Sequence, residues 1–223
     1  MKSLFKILSL FIIVSCRPYT SVYPKPNTLL AIDTSLAGDA KKINKLIQPY
    51  KAALESEMGK VIGYSPSFLE KQKPSSALGS YMADAVLAQA KKCDDQVDFC
   101  LLNYGGIRST LDSGEITVGD IFELMPFENE IVILTLSKTM VQNLIEFIKV
   151  KNGEPFSKEL LNLPEKQFYK MATNDYIANG GDDYMVLQNA VERIECGVKI
   201  RDAILNNLNS NFNIEPDNAP RAF

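Results

Sequence analysis

A chain of 223 residues with 46% hydrophobic and 23% charged side chains has the composition of a folded globular protein with one sizeable domain. Its formal net charge of -3 and isoelectric point near 5.2 supply no excess positive field for a phosphate backbone, which argues against a nucleic-acid partner. The chain has no histidine, so Ser-His-Asp and Cys-His nucleophile pairs, His-rich zinc sites and mixed His/carboxylate dinuclear sites cannot be assembled from it. An all-oxygen cation site stays open, but catalysis by this chain alone is not expected.

Met1 to Lys6 is basic, and the run from Ile7 to Val14 is apolar except for Ser9. Together they read as a secretory leader, too short to span a bilayer as a mature helix. The leader ends in Ile13-Val14-Ser15-Cys16, which resembles a bacterial lipobox, so Cys16 is the expected lipidation site and residues 1–16 the signal segment. Ordinary secretion with cleavage nearby is the alternative. Residues 17–28 carry Pro18, Pro24 and Pro26 and no helical or strand period, as expected of a tether, which extends to residue 35. The globular domain is expected over 36–223, held at the cell envelope by its lipid anchor on the periplasmic or outer-membrane face. Cys93, Cys100 and Cys196 then remain as an odd set. Cys93 and Cys100 could pair, no zinc motif matches their spacing, and buried free thiols are the expectation.

From Asp39 to Met58 the residues Ile43, Leu46, Ile47, Tyr50, Ala53 and Leu54 recur at helical spacing and predict an amphipathic helix ending at Gly59. Lys60 to Tyr64 reads as a short strand, and Ala77 to Lys92 as a second helix. Val97 to Leu102 has the length and apolarity of a strand and leads into Asn103-Tyr104-Gly105-Gly106-Ile107-Arg108. Thr117 is placed to cap a short helical turn, Ile131 to Leu136 reads as a buried strand, and Ser137 as the cap of a helix running to Gly153. Gln167 to Thr173 is expected to be a strand, followed by a second glycine loop from Asn174 to Tyr184, and Val198 to Leu208 a last helix. Strands and helices in this order indicate an α/β fold, a mixed α+β sheet with flanking helices. Without a clean βαβ series, a simple Rossmann sheet is disfavoured.

The two glycine loops carry the chemistry. Gly105 and Gly106 offer positive φ angles and close backbone approach, and Arg108 presents a planar fork of donors suited to phosphate or carboxylate. A tight turn with Arg108 bridged to a surface acid would account for the same residues. Phe127 follows a proline and would ordinarily be a core residue. Tyr176 and Asp182 flank Gly180 and Gly181, and Asp182 could equally serve the turn backbone. As a set, Asn103 and Arg108 for phosphate and sugar oxygens, Phe127 and Tyr176 as faces for a base, and Asp182 for sugar hydroxyls suit a nucleotide.

Asn103-Tyr104-Gly105-Gly106-Ile107-Arg108, Gly114-Glu115-Ile116-Thr117, Met125-Pro126-Phe127-Glu128-Asn129 and Ala178-Asn179-Gly180-Gly181-Asp182-Asp183-Tyr184 together resemble the C-terminal domain of the 5'-nucleotidase family. The resemblance runs from about residue 36 to the C-terminus. It implies a domain that clamps the base between two aromatics, here Phe127 and Tyr176. Arg108 and Asn103 would lie on the phosphate and sugar side, with Asp182 as the ribose acceptor. The family's metallophosphatase half, with its metal-ligating histidines and aspartates, has no counterpart in these residues. No cofactor is therefore expected in this chain, and divalent metals are expected on a separate metallophosphatase chain. The alternative is a surface lipoprotein that binds nucleosides or nucleotides without catalysis, or one that kept the fold and lost the site. Four departures stand out: Lys71 and Lys73 lie where the family often has an arginine, Tyr104 and Asp183 stand where glycine is usual, and Tyr176 replaces a more typical phenylalanine while keeping the aromatic face.

Overall fold

The computed structural model describes residues 41–223; the leader, Cys16 and the tether lie outside the described residues. Contacts divide the chain into two units, Met1–Leu46 and Ile47–Phe223. Helix α1 (Lys41–Met58) runs across that boundary. Its expected apolar stripe is present but not buried: Ile43, Leu46, Ile47, Tyr50 and Leu54 are all exposed.

The second unit is built on a four-stranded mixed sheet. Strands β2 (Phe99–Cys100), β4 (Glu130–Ser137), β5 (Phe168–Asn174) and β6 (Glu192–Lys199) lie in the order β2-β5-β4-β6. Only β2 and β5 are parallel; β4 runs against both β5 and β6. A separate antiparallel pair joins β1 (Val61–Ser65) to β3 (Gly114–Thr117). Because side chains alternate across a strand, β4 feeds two cores. Ile131 and Ile133 face a core with α2 (Ala77–Cys93) and α6 (Ile200–Ser210), while Val132, Leu134 and Leu136 face one with α4 (Lys138–Val150). Burial on both faces explains why β4 reads as an unbroken apolar run rather than an alternating one.

Capping fixes the helix starts. Ser137 accepts from Met140 N ahead of α4, as expected from the sequence, and Ser76, which the sequence reading did not name, accepts from Gly79 N ahead of α2. Thr117 forms a reciprocal capping box with Asp120 at α3 (Val118–Leu124), satisfying two backbone donors at once. Two strands were not expected. β3 occupies one of the recognised motifs, and β6 takes in Val198 and Lys199, which the sequence suggested as the start of the last helix. Lys199 is extended (φ -74°, ψ 150°), and the backbone of Ile200 donates to Asn129 O, so helical geometry begins only at Ile200. β6 is an edge strand with Glu192, Arg193 and Glu195 exposed, which gives its sequence no apolar signature. The α/β class with a mixed sheet and flanking helices is the observed one.

Candidate functional site

The C-terminal ends of β2 and β5, the start of β4 and the end of β6 all reach the same edge of the sheet. Each delivers a loop there. Past β2, Asn103 leads into a single 3-10 turn, Tyr104–Gly106, with Arg108 just beyond it. β5 ends at Asn174, whose side chain caps the short helix α5 (Asp175–Ala178) carrying Tyr176. The stretch between α3 and β4 carries Phe127. Asn103, Gly105, Gly106, Arg108, Phe127, Asn129, Tyr176 and Asp182 line one open cleft of about 440 Å³, a volume within the range of small-molecule sites.

Asparagine side chains tie these loops together. Asn103 is 5% exposed; its Nδ2 donates to Asp182 Oδ2 at 2.7 Å, and its Oδ1 accepts from Asn174 Nδ2 at 2.9 Å. Asn174 Oδ1 in turn accepts from Ile177 N. Asn129 Nδ2 donates to Asp175 Oδ1 at 2.8 Å, joining the Phe127 segment to α5. Asn103 thus holds Asp182 and the Asn174 cap while lining the cleft. Asn129 and Asn174 were given no role in the sequence reading. Asn174 directly before a short helix was legible as a cap; Asn129 depends on a partner 46 residues away.

The glycines act differently from the expectation. Neither Gly105 nor Gly106 adopts a positive φ; their value is close approach, since a Cβ on Gly106 would stand 3.1 Å from Asn103 Oδ1. The left-handed backbone is in the second loop: Gly180 at φ 90°, Asp182 at 50° and Asp183 at 66°. Aspartate tolerates that region better than most residues, which makes Asp183 workable where glycine is usual. Gly181 is required by contact, because a Cβ there would lie 2.5 Å from the Tyr176 ring.

Neither aromatic is a core residue: Phe127 is 40% and Tyr176 46% exposed. The Tyr176 hydroxyl donates to Asp182 Oδ1 at 3.0 Å, and that bond raises its pKa. Arg108 is exposed and lies 5.7 Å from the Phe127 ring centroid. Among the described residues its guanidinium makes no hydrogen bond or ion pair, so the bridge to a surface acid is not formed. Lys71 sits 4.1 Å from the Tyr104 ring centroid. Burial, then the charges of Arg108 and Lys73, lower its pKa. Lys73 is committed elsewhere, donating to Lys151 O at 2.6 Å with Glu154 at 3.8 Å. Glu154 is buried, accepts from Tyr104 N and has its pKa raised, mainly by burial.

Phe127 is steadied by its neighbour. Glu128 pairs with Arg201 at 2.5 Å and with Lys199, both brought in by β6 and α6, and Arg201 also reaches Phe127 O at 3.4 Å. The Arg201 bond first, then that of Lys199, bring the Glu128 carboxyl to a pKa of about 2. A carboxyl whose folded pKa is depressed contributes stability that is present above its unfolded pKa and lost as pH falls through the folded one. The Glu128→Gln variant should therefore show a shallower fall in melting temperature than the parent between about pH 4.5 and about pH 2. Thermal melts across that window check it, and parallel curves would dismiss the contribution.

Among the described residues, no group of three or more His, Cys, Asp or Glu side chains converges to hold a metal ion. The residues present do not fit the dinuclear centre of a phosphatase, and no step through a metal is assigned to them.

The family described as 5'-nucleotidase, C-terminal domain, matches residues 57–167. Over these residues the chain belongs to that family. As a 5'-nucleotidase C-terminal domain it is 26% identical over 199 residues to the trifunctional nucleotide phosphoesterase protein YfkN of Bacillus subtilis, covering 73% of this chain and 14% of that protein. Its fold matches the 5'-nucleotidase precursor of Thermus thermophilus with a TM-score of 0.68 at 22% identity, over 79% of this chain and 42% of that one. The NAD nucleotidase of Haemophilus influenzae superposes with a TM-score of 0.59 at 14% identity, over 80% and 40% of the two chains. The chain therefore spans less than half the length of each of these proteins. The family match takes in the Asn103–Arg108 loop and Phe127, while Tyr176 and Asp182 lie beyond residue 167.

Proposed function

We propose that this domain binds a nucleotide or nucleoside in the cleft and presents it for a 5'-nucleotidase-type hydrolysis. The metals would be carried by a metallophosphatase domain outside these 223 residues, on a separate chain in the simplest arrangement. The observation that carries the reading is the convergence, through the Asn103, Asn129 and Asn174 ties, of two exposed aromatic rings, an arginine with no acid partner among the described residues, and Asp182 on one cleft. Phe127 and Tyr176 take the base on their faces. Asp182 accepts from ribose hydroxyls with the lone pairs left after Asn103 and Tyr176 have donated. Arg108 takes the phosphate, with Lys71 as the nearby cation whose charge is otherwise repelled by Arg108 and Lys73; an anion would relieve that repulsion. The chain contributes position, not bond-breaking. A lipid on Cys16 would hold this activity at the cell envelope.

Titration calorimetry with AMP and adenosine tests the assignment through Arg108. A hydrogen bond to a charged group contributes roughly 1.5–3 kcal/mol, so Arg108→Ala should weaken AMP by about 10- to 150-fold. Adenosine affinity should change less than about twofold, since uncharged sugar and base do not use that guanidinium. Equal losses for both ligands would remove the phosphate role. Absence of binding by the parent chain would remove the proposal.

A further inference from the structure

Two expectations of burial fail away from the cleft. Of the described cysteines only Cys100 is a buried thiol; Cys93 is exposed and Cys196 half-buried. The larger failure is α1. Every residue from Ile43 to Glu57 is exposed, Leu46 by 71% and Tyr50 by 77%. The helix closes on the domain at its end, where Met58 lies against Gly119. Most helices in proteins are held by the packing of an amphipathic face, and one of 18 residues is marginal in water without it. Pro49 inside α1 removes a backbone donor as well. At 3.6 residues per turn, Ile43, Leu46, Ile47, Tyr50 and Leu54 fall within an arc of about 100°, as wide as the face by which a surface helix is usually packed.

The charges around that arc indicate what covers it. From Lys41 to Leu54 the sequence has Lys41, Lys42, Lys45 and Lys51 and no acid, in a chain whose net charge is -3. The acids Glu55 and Glu57 come in the last turn, where each meets a lysine: Glu55 meets Lys51 at 3.6 Å and Glu57 meets Lys60 at 2.6 Å. Lys51 falls just past the edge of the apolar arc, where a long side chain lays its stem on apolar surface and keeps its ammonium in a polar layer. We propose that α1 docks in the plane of an anionic lipid surface, with its apolar arc among the acyl chains and its lysines at the phosphate headgroups. Among the described residues no helix is long and apolar enough to cross a membrane, so α1 lies along the surface rather than through it. A second copy of the helix fits less well, because the stripe from Ile43 to Leu54 spans less than two heptads, whereas a coiled coil is sustained over three or four. The lipid expected on Cys16 would keep α1 close to such a surface and raise its local concentration there, but the docking is carried by the residues of α1 itself.

The chain contains no tryptophan, so a single indole reports its own surroundings. The full chain carrying Tyr50→Trp, on the apolar arc, is compared with the full chain carrying Ala52→Trp, on the opposite face. Each is mixed with vesicles of phosphatidylcholine and phosphatidylglycerol, and with vesicles of phosphatidylcholine alone, bromine on the acyl chains serving as quencher. The expected result is emission moved to shorter wavelength and quenched for Tyr50→Trp in the anionic vesicles, with little change for Tyr50→Trp in the neutral ones and none for Ala52→Trp in either. Adding Lys51→Gln to Tyr50→Trp should weaken partitioning into the anionic vesicles about fivefold. Vesicle binding through residues 1–16 alone would leave both indoles unquenched and overturn the proposal. Equal quenching of Tyr50→Trp in the two kinds of vesicle would also overturn it. So would a shift that appears without lipid and grows with protein concentration, which would mark pairing with a second copy.

Discussion

The Phe127→Ala, Tyr176→Ala double variant is expected to lose nucleotide binding by roughly 30-fold at the least, and by about 10⁴-fold if both rings act fully. The range follows from about 1–3 kcal/mol for each base–aromatic stack, taken twice. Both rings are 40% or more exposed, so their truncation removes little core, and far-ultraviolet circular dichroism should be unchanged. Tyr176→Phe is the informative companion. It keeps the ring seated on Gly181 but deletes the bond to Asp182 Oδ1, so stacking should survive while one carboxylate oxygen is freed for a ribose hydroxyl. Calorimetry with AMP checks both variants. Binding by the double variant within about threefold of the parent, less than one stack is worth, would show that the cleft does not clamp a base.

The largest effect on stability is expected at Arg221, close to the end of the chain. Its side chain is 3% exposed, forks onto both Asp84 oxygens at 2.7 Å, reaches Asp217 at 2.8 Å and donates to the backbone oxygen of Phe156 at 3.1 Å. Phe223 stacks on Phe156 at 5.1 Å. The tail thereby braces the segment from Glu154 to Ser157, which pairs with Cys100 to Leu102 just before the cleft loop. Removing one partner of a buried ion pair costs about 3–5 kcal/mol. The lower end applies here, because the Asp84 and Asp217 side chains are 40% and 41% exposed and can be rehydrated. For Arg221→Ala, about 3 kcal/mol corresponds to a melting temperature lower by roughly 6–12 °C. Arg221→Lys keeps the charge without the fork and should fall between. A shift below about 2 °C for the alanine variant would mean that the tail is not part of the cooperative unit.

The effects at Arg221 and at the cleft differ in how visible they are in sequence. Arg221 has no local signal: its partners are 137 residues away at Asp84 and 65 away at Phe156. Arg108, by contrast, stands in a glycine loop directly after an apolar strand, and its position alone suggests a ligand. What its position could not reveal is that no acid pairs with it among the described residues. The same limit applied to Lys71 and Lys73, two apart in sequence and equal in charge. Only the placement of Lys151 O and Glu154 commits Lys73, which also lies 5.0 Å from the Tyr104 ring centroid, and leaves Lys71 nearer that ring at 4.1 Å.

The sequence by itself determined the features that rest on local chemistry. The apolar run of β4, the helical spacing of α2 and α4, the caps at Thr117 and Ser137, and the order of four motifs were enough to reach the fold class and the family. Tertiary structure decided whatever depends on residues brought together from distant positions. It left the amphipathic stripe of α1 exposed, revealed β6 as an edge strand whose charged face hides it, and moved Phe127 from an ordinary core position to the rim of a cleft. It also gave Asn103, on the wall of the cleft, the further task of holding Asp182. Periodicity and capping are encoded within a turn or two of chain, whereas burial, pairing and the free valence of a side chain are fixed only when the loops of β2, β4 and β5 meet.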